Sequence, residues 1–320
     1  MNRLLIGYDG SPPAEAAVED LVHASLPAPV EALVLSVADV WLPPEASQGG
    51  AAKPGPSEPP GGAGSERAFG WLDRDPYAKA RSVLDDSRTT AAQGAQRLAR
   101  LFPDWRVTAE AMADSPGWGV VEKARTWKAD LIVVGAHSHT PFQRFFFGSA
   151  ASAVVMQASC SVRISRPRKH SPQRALRIFL AVDGSPESEQ AARETARRTW
   201  PAETEIRVVA VLDPKIEIAF ARAGSVPQPW LQEHFKGTRE TITAMTVKFA
   251  ENLRAGGRTA ESHIFEGDPK KILLHEAEAW QADCIFLGAR GLNHGGRWLL
   301  GSVASAVASR AHCSVEIVRP

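Results

Sequence analysis

Cys284-Ile285-Phe286-Leu287-Gly288-Ala289-Arg290-Gly291, then nine residues, then Gly301-Ser302, is the stretch that decides how this chain folds. An apolar, strand-like run enters a glycine turn, and a helix-like run from Val303 to Ala311 follows. A glycine-rich turn that leaves a strand and ends at a helix N-terminus can aim backbone N–H groups at a phosphate. The helix dipole adds partial positive charge at the same place. The frame recurs upstream in altered form, as Gly135-x-x-Ser138, nine residues, Gly148-Ser149. One half of the chain therefore reads as fit to hold a nucleotide, and the other less so.

The recurrence extends outward in both directions. Arg3-Leu4-Leu5-Ile6-Gly7-Tyr8-Asp9-Gly10-Ser11-Pro12 matches Arg177-Ile178-Phe179-Leu180-Ala181-Val182-Asp183-Gly184-Ser185-Pro186 at an offset of 174. Ala129-Asp130 and the apolar run to Gly135 match Ala282-Asp283 and the run to Gly288 at an offset of 153, and Cys160-Ser161-Val162 matches Cys313-Ser314-Val315 at the same offset. The fall from 174 to 153 leaves 21 extra residues in the first copy, before its third strand. Trp41 to Pro76, crowded with Pro and Gly and without apolar period, accounts for them and reads as a long, mobile surface loop. A repeat of this length is one structural unit used twice.

Within the second copy the signals alternate. Ile178 to Val182 is a short apolar run, and Ser185 caps a helix that opens on Pro186, where a missing N–H costs nothing. Glu205 to Leu212 reads as a strand, Trp230 to Leu253 as a long helix and Thr259 to Phe265 as a strand. Pro269 to Gln281 sets Ile272, Leu273, Ala277 and Trp280 at helical spacing. The run to Leu287, the glycine loop, a helix from Ser302 and a last strand Val315 to Val318 complete the series. Alternating strand and helix predicts an α/β fold, a parallel sheet with helices on both faces. The units expected are 1–167, with the insert 41–76 and an altered loop, and 174–320, with the intact loop, joined by the basic, proline-bearing Arg166 to Pro172.

Bulk properties narrow the function. The 320 residues suffice for two domains, and 44 % apolar with 23 % charged residues reads as soluble and globular. With 37 basic and 36 acidic residues, net +1, there is no basic excess for a nucleic-acid partner. No apolar run approaches the ~20 residues of a membrane helix. An acidic residue as early as Asp9 argues against a secretory signal, so a cytoplasmic location is expected. Three cysteines without a close pair argue against disulfides or a cysteine-rich metal site.

These residues resemble the universal stress protein family in a tandem, two-domain version. The resemblance rests on the strand ending in Asp-Gly-Ser (Asp9, Asp183), on Gly267-Asp268-Pro269 leading to Ala282-Asp283, and on the family's ATP-binding frame G-x2-G-x9-G-[ST] at Gly288, Gly291, Gly301 and Ser302. It covers nearly all the chain outside Trp41 to Pro76. It implies two Rossmann-like domains of the adenine nucleotide alpha-hydrolase-like type, each a five-stranded parallel sheet of order 3-2-1-4-5. Ligands of such sheets sit at the switch point beyond the strand C-termini. Carried over by position, Asp183, beside Gly184, faces the adenosine and Val211 lies near the adenine. Gly288 and Gly291 let the backbone approach ribose and phosphates, while Gly301, Ser302 and Val303 bind phosphate. Ala304 stands where the family often has a hydroxyl residue. The implied cofactor is ATP, with or without Mg2+. The implied partners are an adenine nucleotide, the two halves as an intramolecular pseudo-dimer through their last strands, and a protein the sequence does not identify, with a homodimer left open. No nucleic-acid or membrane partner is expected.

The first copy departs further. Its equivalents are Asp9, Gly135, Ser138, Gly148 and Ser149, with Ser138 in place of a glycine, and Phe142, Phe145, Phe146 and Phe147 crowd the nine-residue span. A Cβ at Ser138 would strain any turn that needs φ > 0 there and would obstruct close approach of a phosphate. Asp9 and Asp183 also fit plain turn chemistry, because Asp-Gly-Ser-Pro is a good turn. Arg290 and Arg297 fit both phosphate pairing and ordinary solvation. Asp268 fits a helix cap, His137 and His139 fit solvated loop residues, and Trp105, Trp127, Trp200 and Trp280 fit core filling. No catalytic residue and no metal ligand is assigned.

Three functions are consistent with this reading. The leading one is a regulatory nucleotide sensor, with ATP held mainly by the second half. An enzyme is the second, at most a slow ATPase or a nucleotide transferase, with His294 as the sole base in the loop. A nucleotide-free interaction module is the third.

Overall fold

The apolar runs of both copies become neighbouring strands of a single sheet. The computed structural model describes residues 3–43, 75–136, 148–168, 174–214, 228–291 and 300–320, with backbone alone for 228–235. The first half contains β1 (Arg3–Gly7), α1 (Pro12–Asp20), β2 (Glu31–Ala38), α2 (Ala78–Leu101), β3 (Arg106–Ala113), α3 (Pro116–Trp127), β4 (Leu131–Gly135), α4 (Ser149–Gln157) and β5 (Ser161–Ser165). The second contains β6 (Arg177–Ala181), α5 (Pro186–Arg197), β7 (Glu205–Leu212), α6 (Gln228–Ala255), β8 (Thr259–Glu266), α7 (Pro269–Ala279), β9 (Cys284–Gly288), α8 (Ser302–Arg310) and β10 (Ser314–Val318). Among the described residues the strands form one sheet of order β3-β2-β1-β4-β5-β10-β9-β6-β7-β8. Each half thus runs 3-2-1-4-5. All neighbours are parallel except β5 and β10, which meet antiparallel and join the halves.

Local chemistry explains the helix starts. The Ser11 hydroxyl accepts from Ala14 N at 3.4 Å and the Ser185 hydroxyl from Ser188 N at 3.2 Å, each with proline at the first helical turn. Asp268 caps α7 by accepting from Lys270 N at 3.0 Å, as its sequence position suggests.

Leu5, Ile132, Val162 and Ile164 share one apolar cluster with Phe179, Ile285, Val315 and Ile317, so on one face the core runs unbroken across the seam. On the other face each half keeps its own cluster, around Ile6 and Val133 and around Ile178 and Phe286. Side chains alternate along a strand, so Val162 and Ile164 feed the shared core while Arg163 points into the gap between the separate ones. Strands buried on both faces read as continuous apolar runs.

Trp200 and Trp280 are buried, as their spacing suggests, and Trp105 stacks on Phe102 with ring centroids 3.9 Å apart. Most of the insert lies outside the described residues, but its first residues depart from a purely loose loop. Leu42 is buried against Ala38 and Leu84, because an apolar side chain beside the end of β2 finds the first turns of α2. Trp41 is 74 % exposed, with its ring centroid 6.1 Å from that of Tyr77. Among the described residues no helix is long and apolar enough to cross a membrane.

Candidate functional site

The sheet order reverses between β1 and β4 and again between β6 and β9, so each half has a crevice beyond the C-terminal ends of those strands. In the second half Asp183 leaves β6 and Gly288 closes β9. Asp183 Oδ1 accepts from Ser185 N at 3.0 Å, and Gly184 takes φ +87°, a conformation that suits glycine. The first half repeats the turn, with Asp9 Oδ1 accepting from Ser11 N at 3.0 Å and Gly10 at φ +74°. Turn chemistry is therefore at work in both copies, whatever else the aspartates do.

The glycine loop is drawn onto this turn from three directions. The Ser185 hydroxyl donates to the Arg290 carbonyl at 3.2 Å. The Arg290 guanidinium pairs with Glu187 in the first turn of α5. Gly301 N donates to the Ala289 carbonyl at 2.8 Å and brings the start of α8 to the loop. Asp183, Gly288, Gly291, Gly301 and Ser302 accordingly converge. Val211, on β7, and Val303, in α8, are partly buried against the shared core.

The glycines do unequal work. A Cβ on Gly288 would lie 2.7 Å from the Glu187 carbonyl carbon and 2.8 Å from Ser188 N, so this glycine admits the first turn of α5 against the end of β9. Gly135 does the same for α1, where a Cβ would lie 2.2 Å from the Pro13 carbonyl oxygen. A Cβ on Gly291 would instead lie 2.5 Å from Asp183 Oδ2, within the crevice itself. Gly301, the N-cap of α8, has no side-chain cap bond, whereas Ser185 and Asp268 cap α5 and α7. Among the described residues the N-cap therefore supplies no side-chain acceptor to the first amides of α8. Gly148 stands in the same position before Ser149 at the start of α4.

A helix N-terminus of this kind can receive an anionic group. The arrangement offers an uncapped helix start with the Ser302 position at its first residue, while the Asp183 carboxylate, against which Gly291 packs, opposes an anion and suits a hydroxyl donor instead. Arg290 is engaged by Glu187 rather than simply solvated. The sequence reading missed Glu187. Its counterpart in the first copy is Pro13, and that difference was the available signal. Ser138, His137, His139, the four phenylalanines of the first loop, His294 and Arg297 lie outside the described residues.

The thiols are unsuited to nucleophilic work at neutral pH. Burial pushes Cys160 up to about 11 and Cys284 up to about 12, and raises Cys313 as well. Among the described residues no group of three or more His, Cys, Asp or Glu side chains is placed to hold a metal ion.

The model of the universal stress protein family matches residues 1–166 and again 175–319. A putative universal stress protein of Staphylococcus haemolyticus is 29 % identical over 147 residues, 44 % of this chain and 83 % of that protein. One from Staphylococcus epidermidis is 29 % identical over 147 residues, covering 44 % of this chain and 82 % of its own length. The crystal structure of a universal stress protein from Archaeoglobus fulgidus superimposes with TM-score 0.63 at 18 % identity, over 99 % of this chain and 98 % of that one. A putative universal stress protein from Pseudomonas aeruginosa does so with TM-score 0.54 at 14 % identity, over 100 % and 94 %. At those identities the two structures speak for the fold alone.

Proposed function

Because the chain belongs to the universal stress protein family, we propose that it is a stress-related regulatory protein that binds an adenine nucleotide, ATP above all, mainly in its second half. The observation that carries this reading is the convergence of Asp183, Gly291 and the uncapped start of α8, with Gly291 packed so closely on the Asp183 carboxylate that any Cβ would displace it. In this reading the α8 amides and the Ser302 hydroxyl donate to phosphate oxygens, and the dipole of α8 favours their charge. Asp183 accepts from the nucleoside, and Val211 supplies apolar surface for the base. Mg2+ would accompany the phosphates, and among the described residues no cluster of His, Cys, Asp or Glu is placed to ligate it.

The two halves act as an intramolecular pseudo-dimer, a reading supported by the antiparallel pairing of β5 with β10. Binding rather than turnover is the proposed output, so ATP occupancy is the signal. A slow ATPase is the second reading, and it stands or falls on phosphate release.

The test is direct. One portion of purified protein is denatured and the released nucleotide identified by chromatography and mass, and a second portion, freed of nucleotide by dialysis while folded, is titrated with ATP in a calorimeter. One dominant site per chain is expected. Absence of heat with any adenine nucleotide, or two equal sites, overturns the proposal. Phosphate release over many turnovers per minute moves the protein into the enzyme class.

A further inference from the structure

We infer that the seam between the halves is a pairing surface that selects its partner by charge: β5 accepts β10 and rejects a second β5, and β10 likewise rejects a second β10. The inference is independent of nucleotide binding. In the antiparallel register Val315 lies opposite Ile164, Glu316 opposite Arg163 and Ile317 opposite Val162. Arg163 and Glu316 hold the same place in the two copies, so their pair sits on the local twofold axis relating the halves. In any like-with-like pairing of this register, residue 163 would face residue 163, or 316 would face 316.

Most of the seam is indifferent to that choice. The flanking positions are Val and Ile in both strands. The Ser314 hydroxyl accepts from Arg166 N at 3.0 Å, and its counterpart Ser161 accepts from Arg319 N at 3.2 Å, so these bonds would form equally between identical halves. Within the two facing strands the central pair breaks the symmetry, and it does so out of water. The Arg163 side chain is 1 % exposed and that of Glu316 0 %. Arg163 Nη1 donates to Glu316 Oε2 at 3.1 Å and Arg163 Nε to Asp20 Oδ2 of α1 at 2.7 Å. Glu316 also accepts from Arg198, just beyond α5, whose other arm donates to the Ala24 carbonyl at 2.6 Å.

Asp20, Arg163, Glu316 and Arg198 therefore alternate acid, base, acid, base across the seam. Pairing two first halves would give acid, base, base, acid, with two guanidiniums in contact in a dry interior. Pairing two second halves would put two carboxylates there. Each charge would keep the partner from its own half, Arg163 with Asp20 and Glu316 with Arg198, but the bond across the seam would give way to a like-charge contact that a dry site disfavours, whereas an apolar seam alone would tolerate either partner. The occupant that fits each edge is the opposite half, normally of the same chain because the tether makes that encounter intramolecular. After exchange through the linker, it is the opposite half of a second copy.

Two full-length variants test this, Arg163→Glu and Glu316→Arg, carrying different tags. Each places like charges at the centre of its own seam. Together they retain one native match, since the Glu316→Arg chain keeps Arg163 and the Arg163→Glu chain keeps Glu316. Co-expression is expected to yield a 1:1 two-chain complex by native mass spectrometry, in at least about tenfold excess over self-pairs of either variant. If either variant is insoluble alone, the readout is recovery of the soluble pair on co-expression. Absence of the mixed complex, self-pairs of equal abundance, or two variants that stay monomeric with wild-type unfolding midpoints would each overturn the inference.

Discussion

Arg166 and Arg319 reach across the seam in opposite directions to make the same bonds. Arg166 Nη2 donates to the Ala308 carbonyl at 2.6 Å in the last turn of α8, and its Nη1 to the Cys313 carbonyl at 3.0 Å. Arg319 Nη2 donates to the Val155 carbonyl at 2.5 Å near the end of α4, and its Nη1 to the Cys160 carbonyl at 3.3 Å. Each arginine follows the last strand of its own half and closes the last helix of the other. Burial lowers both guanidiniums to about 10, yet both stay charged at neutral pH, where the carbonyl end of a helix favours a cation.

Removing one of these arms leaves two carbonyls short of a donor. Arg319→Ala and Arg166→Ala should each lower unfolding stability by about 1–3 kcal/mol in urea titrations. Lysine should restore little, since one ammonium does not reproduce the fork that serves both carbonyls. Unchanged midpoints in both alanine variants would show the arms to be ornamental.

Gly288 and Gly291 should fail in different ways. Gly288→Ala drives a Cβ into the backbone of Glu187 and Ser188, so thermal unfolding should show a loss of about 1–3 kcal/mol. Gly291→Val meets the Asp183 carboxylate instead, so calorimetry should show loss of ATP binding at a nearly unchanged melting temperature. Retained ATP affinity in the Gly291 variant would mean that the glycine frame does not face the ligand.

Glu187 is expected to act through Arg290, holding the loop in its binding shape. Glu187→Gln and Arg290→Gln should then weaken ATP binding alike, each by roughly fivefold, the equivalent of about 1 kcal/mol for a partly exposed pair. A far larger loss for Arg290→Gln alone, measured in the same titration, would mean that this guanidinium leaves Glu187 for the phosphates.

Acid should weaken the seam through His23. Burial holds this imidazole below its usual range; Arg168 and Arg163 push the same way, while Asp20 and Asp283 oppose them. The unfolded chain therefore binds the proton more readily than the folded one. Its stabilising contribution is fully present above the unfolded value of about 6.5 and is lost as pH falls through the lower folded value. Melting temperatures from about pH 7.5 to 5 should fall more steeply for the wild type than for His23→Asn, and parallel curves would exclude His23 as the cause.

The sequence by itself determined the repeat, the alternation of strands and helices and the turn chemistry, because these depend on neighbours a few residues apart. Ser11, Ser185 and Asp268 cap their helices where local patterns place them, and the apolar runs became central strands. The candidate site was legible as a glycine frame, but the division of labour inside it was not. What crowds the missing Cβ of Gly288 is Glu187 and Ser188, from an element about a hundred residues earlier in the chain. In the sequence Arg163 and Glu316 stand only at matching places of the two copies. Their burial, and the four-charge ladder that follows from it, arises only when β5 and β10 close a shared core on one face and leave a dry gap on the other. Only the assembled sheet sets that dielectric, and it turns an ordinary ion pair into one that discriminates between partners.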